Sequence, residues 1–427
     1  MTLKATPKLQ LELDKLKACI HCGMCLPACP TYVATGSEAK SPRGRLYMMK
    51  KLLEGETTSQ AVRPHLDDCL ACHGCETACP SGVQYGSILL AVREDFARQD
   101  YRPARFFKRF ILKNILPNHR LLKAMAQWLR IYQKSGLQFL FRTLGLLKLT
   151  PSLAYQESLL PKIPPYQALH SGMSFGNPSD EPVVLLTGCV MDVLYNPVHW
   201  DTIEVLVANG YYVRIPEQVC CGALAHHAGE TDITRRLARQ NIDLMLKDHP
   251  QWVVVNSSGC GSTLKEYGHL LADDPLYSAK AQHFAAKVVD VMELLAKKPL
   301  APMPGSVSEA VSYHAACHLY HVQKVQKQPL DLLKQVPGLT LIPLTNAEAC
   351  CGSAGIYNIE HAELSREILN EKMGAIADVC KRYEIKTVVT GNPGCLLQLE
   401  KGARDAGLKL TVQHPVSILA KAYRKPS

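Results

Sequence analysis

An α/β protein is predicted, with a helical N-terminal domain followed by a duplicated α/β unit. Three observations carry that expectation. Two cysteine runs, Cys19–Pro30 (CIHCGMCLPACP) and Cys69–Pro80 (CLACHGCETACP), share one spacing. Beyond residue 181, short apolar runs ending at cysteines occur twice in the same order. Between the two regions lies a proline-rich stretch with Pro151, Pro161, Pro164, Pro165 and Pro178.

Both cysteine runs fit C-x2-C-x2-C-x3-C-P, the pattern that ligates [4Fe–4S] clusters in bacterial ferredoxins. Thiolates two residues apart on a tight loop converge on one face of a cubane. The fourth, just before proline, serves the other cluster. Cys19, Cys22, Cys25 and Cys79 are therefore expected to hold one cluster, and Cys69, Cys72, Cys75 and Cys29 a second. Short cysteine spacings also suit zinc ribbons, but two complete runs each closed by Cys-Pro fit clusters better. With all eight cysteines present, His21 and His73 inside the loops are read as hydrogen-bonding neighbours or surface residues. The fold class that follows is α/β overall. An α-helical two-cluster ferredoxin domain comes first, then two duplicated α/β cysteine-rich domains.

Bulk composition agrees. The 427 residues are 47% hydrophobic and 20% charged, enough for roughly two to four domains. No secretory h-region and no apolar run of about 18 residues is visible. Seventeen cysteines without a signal point to a reducing, cytoplasmic compartment and to metal, not to disulfides. The net charge of +10 is local: residues 101–150 carry eleven Arg or Lys and no Asp or Glu.

Taken in order, residues 3–18 read as an amphipathic helix leading into the first cluster loop. Pro42 fits the first turn of another helix, with Leu46, Met49, Leu52 and Leu53 as its apolar stripe and Gly55 at its end. Arg43 and Arg45 either raise the potential of a nearby cluster or sit on a solvated helix start. Residues 86–100 are helical by pattern. In the basic segment, Phe106, Phe107, Phe110 and Ile111 alternate with Arg105, Lys108, Arg109 and Lys113, and Leu121, Leu122, Met125, Trp128, Leu129 and Tyr132 recur at helical spacing. Such stripes are usually core, which gives a pair of helices packed on the ferredoxin domain. The other readings are an amphipathic surface on anionic lipid and a docking face for an acidic partner. No nucleic-acid-binding signature is present. Residues 1–100, 101–180, 181–300 and 301–427 are the expected ferredoxin domain, basic connector with linker, first repeat and second repeat.

The repeats align motif by motif. Val183–Cys189 (VVLLTGC) matches Val311–Cys317 (VSYHAAC), Cys220-Cys221-Gly222 matches Cys350-Cys351-Gly352, and Val253–Cys260 (VVVNSSGC) matches Val388–Cys395 (VVTGNPGC). Each copy is an α/β unit with a small parallel sheet, and its cysteines fall at strand ends, where such sheets place their sites. Cys189, Cys220, Cys221 and Cys260, then Cys317, Cys350, Cys351 and Cys395, are enough for a further cluster, a zinc ion, or simply inert buried thiols. Cys380 has no counterpart and reads as core. His226, His227, His314 and His318 lie near these sites, where any could ligate or relay a proton, though a supporting or surface role fits each better.

Motifs in this order resemble the iron–sulfur subunit of glycolate oxidase, most closely at Ala18–Tyr32, Ser41–Tyr47 and Gly391–Cys395. The cysteine-rich repeat is also found in heterodisulfide reductase, lactate-utilisation proteins and the anaerobic glycerol-3-phosphate dehydrogenase small subunit. In the heterodisulfide reductase type the repeat ends in C-x-x-C and holds a five-thiolate cluster. Here Ser257 and Asn392 replace the first cysteine of that pair, so the five-thiolate site cannot form as such. No G-x-G-x-x-G follows a strand, so flavin and substrate are expected on separate dehydrogenase subunits. The resemblance implies glycolate oxidation to glyoxylate, with electrons passed toward a quinone at the cytoplasmic face of the inner membrane. A D-lactate or glycerol-3-phosphate dehydrogenase subunit is the rival within oxidoreductases. A zinc scaffold or redox interaction module is the rival from another class.

Overall fold

The computed structural model describes residues 15–145, 151–247 and 249–424. Of the helix expected over residues 3–18, only a 3-10 turn at Lys15–Ala18 lies within them. The fold is mixed α/β, with two small sheets.

The N-terminal region is helical. Pro30–Thr35, Pro42–Leu53, Ser59–Asp67 and Tyr85–Gln99 surround the two cysteine loops. The helix after Pro42 forms as expected, with the Ser41 hydroxyl accepting the Gly44 N–H at its start. Leu46, Met49 and Leu52 join Val62, Leu66, Ile88, Leu89 and Val92 in one core.

The first sheet has the order β1-β3-β2-β4-β5: β1 (Ser174–Phe175), β2 (Glu181–Leu186), β3 (Tyr211–Arg214), β4 (Trp252–Val255) and β5 (Val288–Asp290). The second has the order β7-β6-β8-β9: β6 (Ala310–Tyr313), β7 (Thr340–Ile342), β8 (Thr387–Val389) and β9 (Thr411–Gln413). Apart from β1, an antiparallel edge too short to leave a sequence pattern, the two sheets share one parallel topology. Their strands are continuous apolar runs because both faces are covered. Val183 and Leu185 point into a core shared between the repeats, while Val184 and Leu186 point into a core of the first repeat. Helices Pro197–Ala208 and Pro415–Tyr423 pack against each other across the shared core.

Two expectations need correction. The proline-rich stretch is not a bare linker, since Pro151–Leu159 is helical; proline at the first helical position costs no hydrogen bond. The basic segment is not core packed on the ferredoxin domain. Helices Pro103–Phe110 and His119–Lys134 bury none of their residues. Only Leu112, in the turn between them, is buried, and it packs on the first repeat. Phe106, Phe107, Met125 and Trp128 face outward instead, while Leu116 and Leu122 pack on the core of the first repeat.

The glycine of each Cys-Cys-Gly motif has a structural cause. Gly222 and Gly352 adopt φ of 82° and 85°, and a Cβ on Gly352 would lie 2.6 Å from the Ser365 carbonyl oxygen. Replacing Gly352 by alanine should destabilise the fold by roughly 1–3 kcal/mol, read as a lowered unfolding midpoint. Gly374→Ala, in open space on a helix, should lower nothing; equal effects would disprove this account.

Candidate metal centres

The two ferredoxin-type loops share one backbone conformation. His21 and Gly23 have φ of 56° and 82°; their counterparts Ala71 and His73 have 51° and 61°. These left-handed residues curl each loop so that its first three thiols turn inward. Cys29 then caps helix Pro30–Thr35, with Pro30 at its first position. Cys19, Cys22, Cys25 and Cys79 line one cavity with Leu46 and Val83. Cys29, Cys69, Cys72 and Cys75 line a second with Leu70 and Arg45; Cys75 also borders the first.

Arg45 and Arg43 separate into the two roles considered for them. Arg43 is partly exposed and pairs with Glu38, Nε to Oε1 at 2.8 Å. Arg45 is 0% exposed. Its guanidinium donates to the His65 carbonyl at 2.7 Å and to Thr31 Oγ1 at 3.1 Å, and reaches Cys29 Sγ at 3.9 Å. No carboxylate is among these partners. Burial raises the Cys69 pKa, but Arg45 and Arg93 outweigh it and bring it below the usual thiol range. A buried cation beside buried thiols is the charge environment an anionic cluster requires. An all-sulfur donor set with apolar walls and this cation fits [4Fe–4S] binding.

The four thiols of each repeat also come together. Every one follows the C-terminal end of a parallel strand: Cys189 after β2, Cys220 and Cys221 after β3, Cys260 after β4, and Cys317, Cys350, Cys351 and Cys395 likewise after β6, β7 and β8. Cys189 Sγ lies 3.6 Å from Cys220 Sγ, and the Cys221 thiol faces those of Cys220 and Cys260. Hydrogen bonds from Cys189 and Cys221 hold Cys220 well below the usual thiol range. In the second repeat the contacts run Cys317 to Cys350, Cys350 to Cys351, and Cys351 to Cys395. Asn392, standing where a ligand cysteine would be, has another use. Its Oδ1 accepts the Gly259 N–H of the first repeat at 3.1 Å, while its Nδ2 donates to Cys395 Sγ at 3.6 Å.

Sequence reasoning did not foresee how closely the second ferredoxin loop approaches the second repeat. Cys72 and Leu70 pack in one cluster with Cys317 and Cys350. Tyr357 Oη donates to the Asp68 carbonyl at 3.0 Å, and Arg93 ties the Cys69 carbonyl (2.6 Å) to that of His227 (3.4 Å). Between the ferredoxin region and both repeats lies a cavity of about 400 Å³ lined by His73, His226, His227, His318 and His321. His318 stacks edge-on with His73 and His227, and burial pushes its pKa down to about 3. His321, which no motif marked, reaches Thr77 Oγ1 at 2.9 Å.

Helical dicluster loops joined to two cysteine-rich sheets define an iron–sulfur protein of the oxidoreductase-subunit class. The domain models agree: a 4Fe-4S dicluster domain matches residues 15–83, and a cysteine-rich domain matches 183–265 and 311–400. The model for the linker region of the glycolate oxidase iron–sulfur subunit matches residues 103–160. The chain is 36% identical to the probable glycolate oxidase iron–sulfur subunit of Bacillus subtilis, and 32% identical to the glycolate oxidase iron–sulfur subunit of Escherichia coli. Each alignment covers 97% of this chain and 96% of the relative. Lactate utilization protein A of Shouchella clausii is 31% identical over 56% of this chain and 98% of its own. The chain belongs to the glycolate oxidase iron–sulfur subunit family. No helix among the described residues is long and apolar enough to cross a membrane.

Proposed function

We propose that this chain is the electron-transferring subunit of a flavin-dependent glycolate dehydrogenase, with the flavin and the substrate on partner subunits and a membrane quinone as the acceptor. The observation that carries this reading is the row of thiol sites. It starts at the exposed Cys22, continues through the second ferredoxin cavity, and meets the second repeat where Cys72 packs with Cys317 and Cys350. In this reading Cys19, Cys22, Cys25 and Cys79 hold one [4Fe–4S] cluster, and Cys69, Cys72, Cys75 and Cys29 hold another. Bound there, such clusters supply one-electron transfer. The chain's own residues set their separation, shield them with Leu46, Leu70 and Val83, and offset their negative charge with Arg45.

The test is anaerobic reduction of the complex, followed by iron–sulfur absorbance. Glycolate should bleach it, and D-lactate or glycerol 3-phosphate should not. Bleaching by one of those two instead would keep the relay and change the substrate; no bleaching by any, with dithionite still effective, would remove the dehydrogenase reading.

We further propose that the linker helices rest on an anionic membrane surface. Phe106, Phe107, Trp128 and Phe139 are 78%, 67%, 71% and 73% exposed, and Lys113, Arg120 and Lys134 make no ion pair among the described residues. Arg105, Lys108 and Arg109 are committed elsewhere: Arg105 pairs with Glu230 at 3.0 Å, Lys108 with Glu360 at 2.8 Å, and Arg109 with Glu230 and Asp232. Neutralising those three would therefore loosen the linker itself and report poorly on lipid. The triple change F106S/F107S/W128S should lower flotation with phosphatidylglycerol vesicles at least about 10-fold, since each removes an exposed aromatic side chain that the lipid would bury. Unchanged flotation would exclude the membrane role.

A further inference from the structure

The two repeats are not chemically equivalent. Residues 186 and 314 occupy the same place in the aligned motifs VVLLTGC and VSYHAAC. In the first repeat this is Leu186, 1% exposed and packed in the apolar core. In the second it is His314, 0% exposed. A ring nitrogen of His314 and the sulfurs of Cys351 and Cys395 all lie within 4.8 Å of one another. Neither ring nitrogen of His314 completes a hydrogen bond among the described residues. A buried imidazole left in that state costs about 1–3 kcal/mol for each unmet group, so a fold that keeps one there has a further partner for it. Lys372, 4% exposed and bonded to the Asn346 carbonyl, adds a buried positive charge near the same thiols.

We propose that the second repeat is a metal centre of mixed sulfur and nitrogen donors, with His314 as a ligand beside Cys317, Cys350, Cys351 and Cys395. The first repeat, with Leu186 in that place, has no imidazole at the equivalent position. The class of metal is iron, as part of a cluster, or zinc; both accept imidazole and thiolate together. This inference rests on the reading that the repeat thiols bind metal at all.

The experiment uses the full chain, purified anaerobically, with iron, zinc and acid-labile sulfide counted per chain. Cys395→Ser first identifies the metal held by the second repeat as the one whose content falls. The wild-type minus C395S difference spectrum at that metal's X-ray absorption edge should carry the scattering pattern of an imidazole ring. His314→Leu should lose the same metal as C395S and show no such pattern. His314→Cys should keep the metal and lose the pattern. His314→Leu copies the residue of the first repeat, so it has a precedent in the same fold; should it not fold, the wild-type difference spectrum decides alone. A difference spectrum with sulfur donors only, or full metal content in H314L, would overturn the proposal while leaving the metal site standing. No loss of metal in C395S would remove both.

Discussion

Replacing Cys72 by serine is expected to cut transfer from the flavin partner to the final acceptor by at least about 100-fold, more than loss of a residue that merely orients a ligand. The iron content should fall by about four atoms per chain, one [4Fe–4S] cluster. Cys72 lines the second ferredoxin cavity and packs with Cys317 and Cys350 of the second repeat. It is thus both a proposed ligand and the contact through which the ferredoxin region meets the repeat. Glycolate should still reduce the remaining ferredoxin cluster, because the first cavity depends on Cys19, Cys22, Cys25 and Cys79. The expected pattern is therefore partial bleaching, with turnover lost. Cys380→Ser is the control. Cys380 lies partly buried on helix Ala362–Tyr383, apart from the eight repeat thiols, and should change neither iron nor turnover. Full turnover in C72S would disprove the proposed row of sites.

Replacing Arg45 by methionine should lower the reduction potential of one cluster by roughly 50–100 mV, the one-electron equivalent of about 1–2 kcal/mol. Methionine fills much of the arginine volume but brings no charge. Reduction adds an electron to a site already surrounded by thiolates, and the buried guanidinium beside Cys29 and Cys69 favours that extra charge. Its loss also leaves the His65 carbonyl without the donor it now meets at 2.7 Å, so the unfolding midpoint should fall as well. Arg43→Met is the comparison. That side chain borders the first cavity but is partly exposed and paired with Glu38, so its loss should shift a potential much less than that of Arg45. A titration showing equal shifts for the two variants, or none for R45M, would contradict this assignment.

Much of the molecule was legible before any coordinates. The cysteine runs, the duplicated strand motifs and the helix after Pro42 follow from local spacing. A C-x2-C loop holds its thiols close whatever surrounds it, and an apolar run of strand length must be covered on both faces. Asn392 shows how far such reading goes. As a missing cysteine it excluded the five-thiolate site, but the hydrogen bond that it makes to Gly259 joins residues far apart in sequence.

The rest depended on tertiary packing. Arg43 and Arg45 are two residues apart on one helix with the same formal charge, yet one is partly exposed at the rim of the first cavity and paired with Glu38, while the other is sealed beside the thiols of the second. Phe106, Phe107 and Trp128 have the periodicity of core residues, yet the fold turns them outward, and it is Leu112, Leu116 and Leu122 of the same segment that meet the first repeat. His314 was one of several histidines near cysteines, until burial left both of its ring nitrogens without a hydrogen-bond partner among the described residues, beside the sulfurs of Cys351 and Cys395. Spacing along a chain specifies which groups can meet within a loop. Which groups lose their water is settled only when distant elements close over them, and that loss of solvent separates a site from a surface.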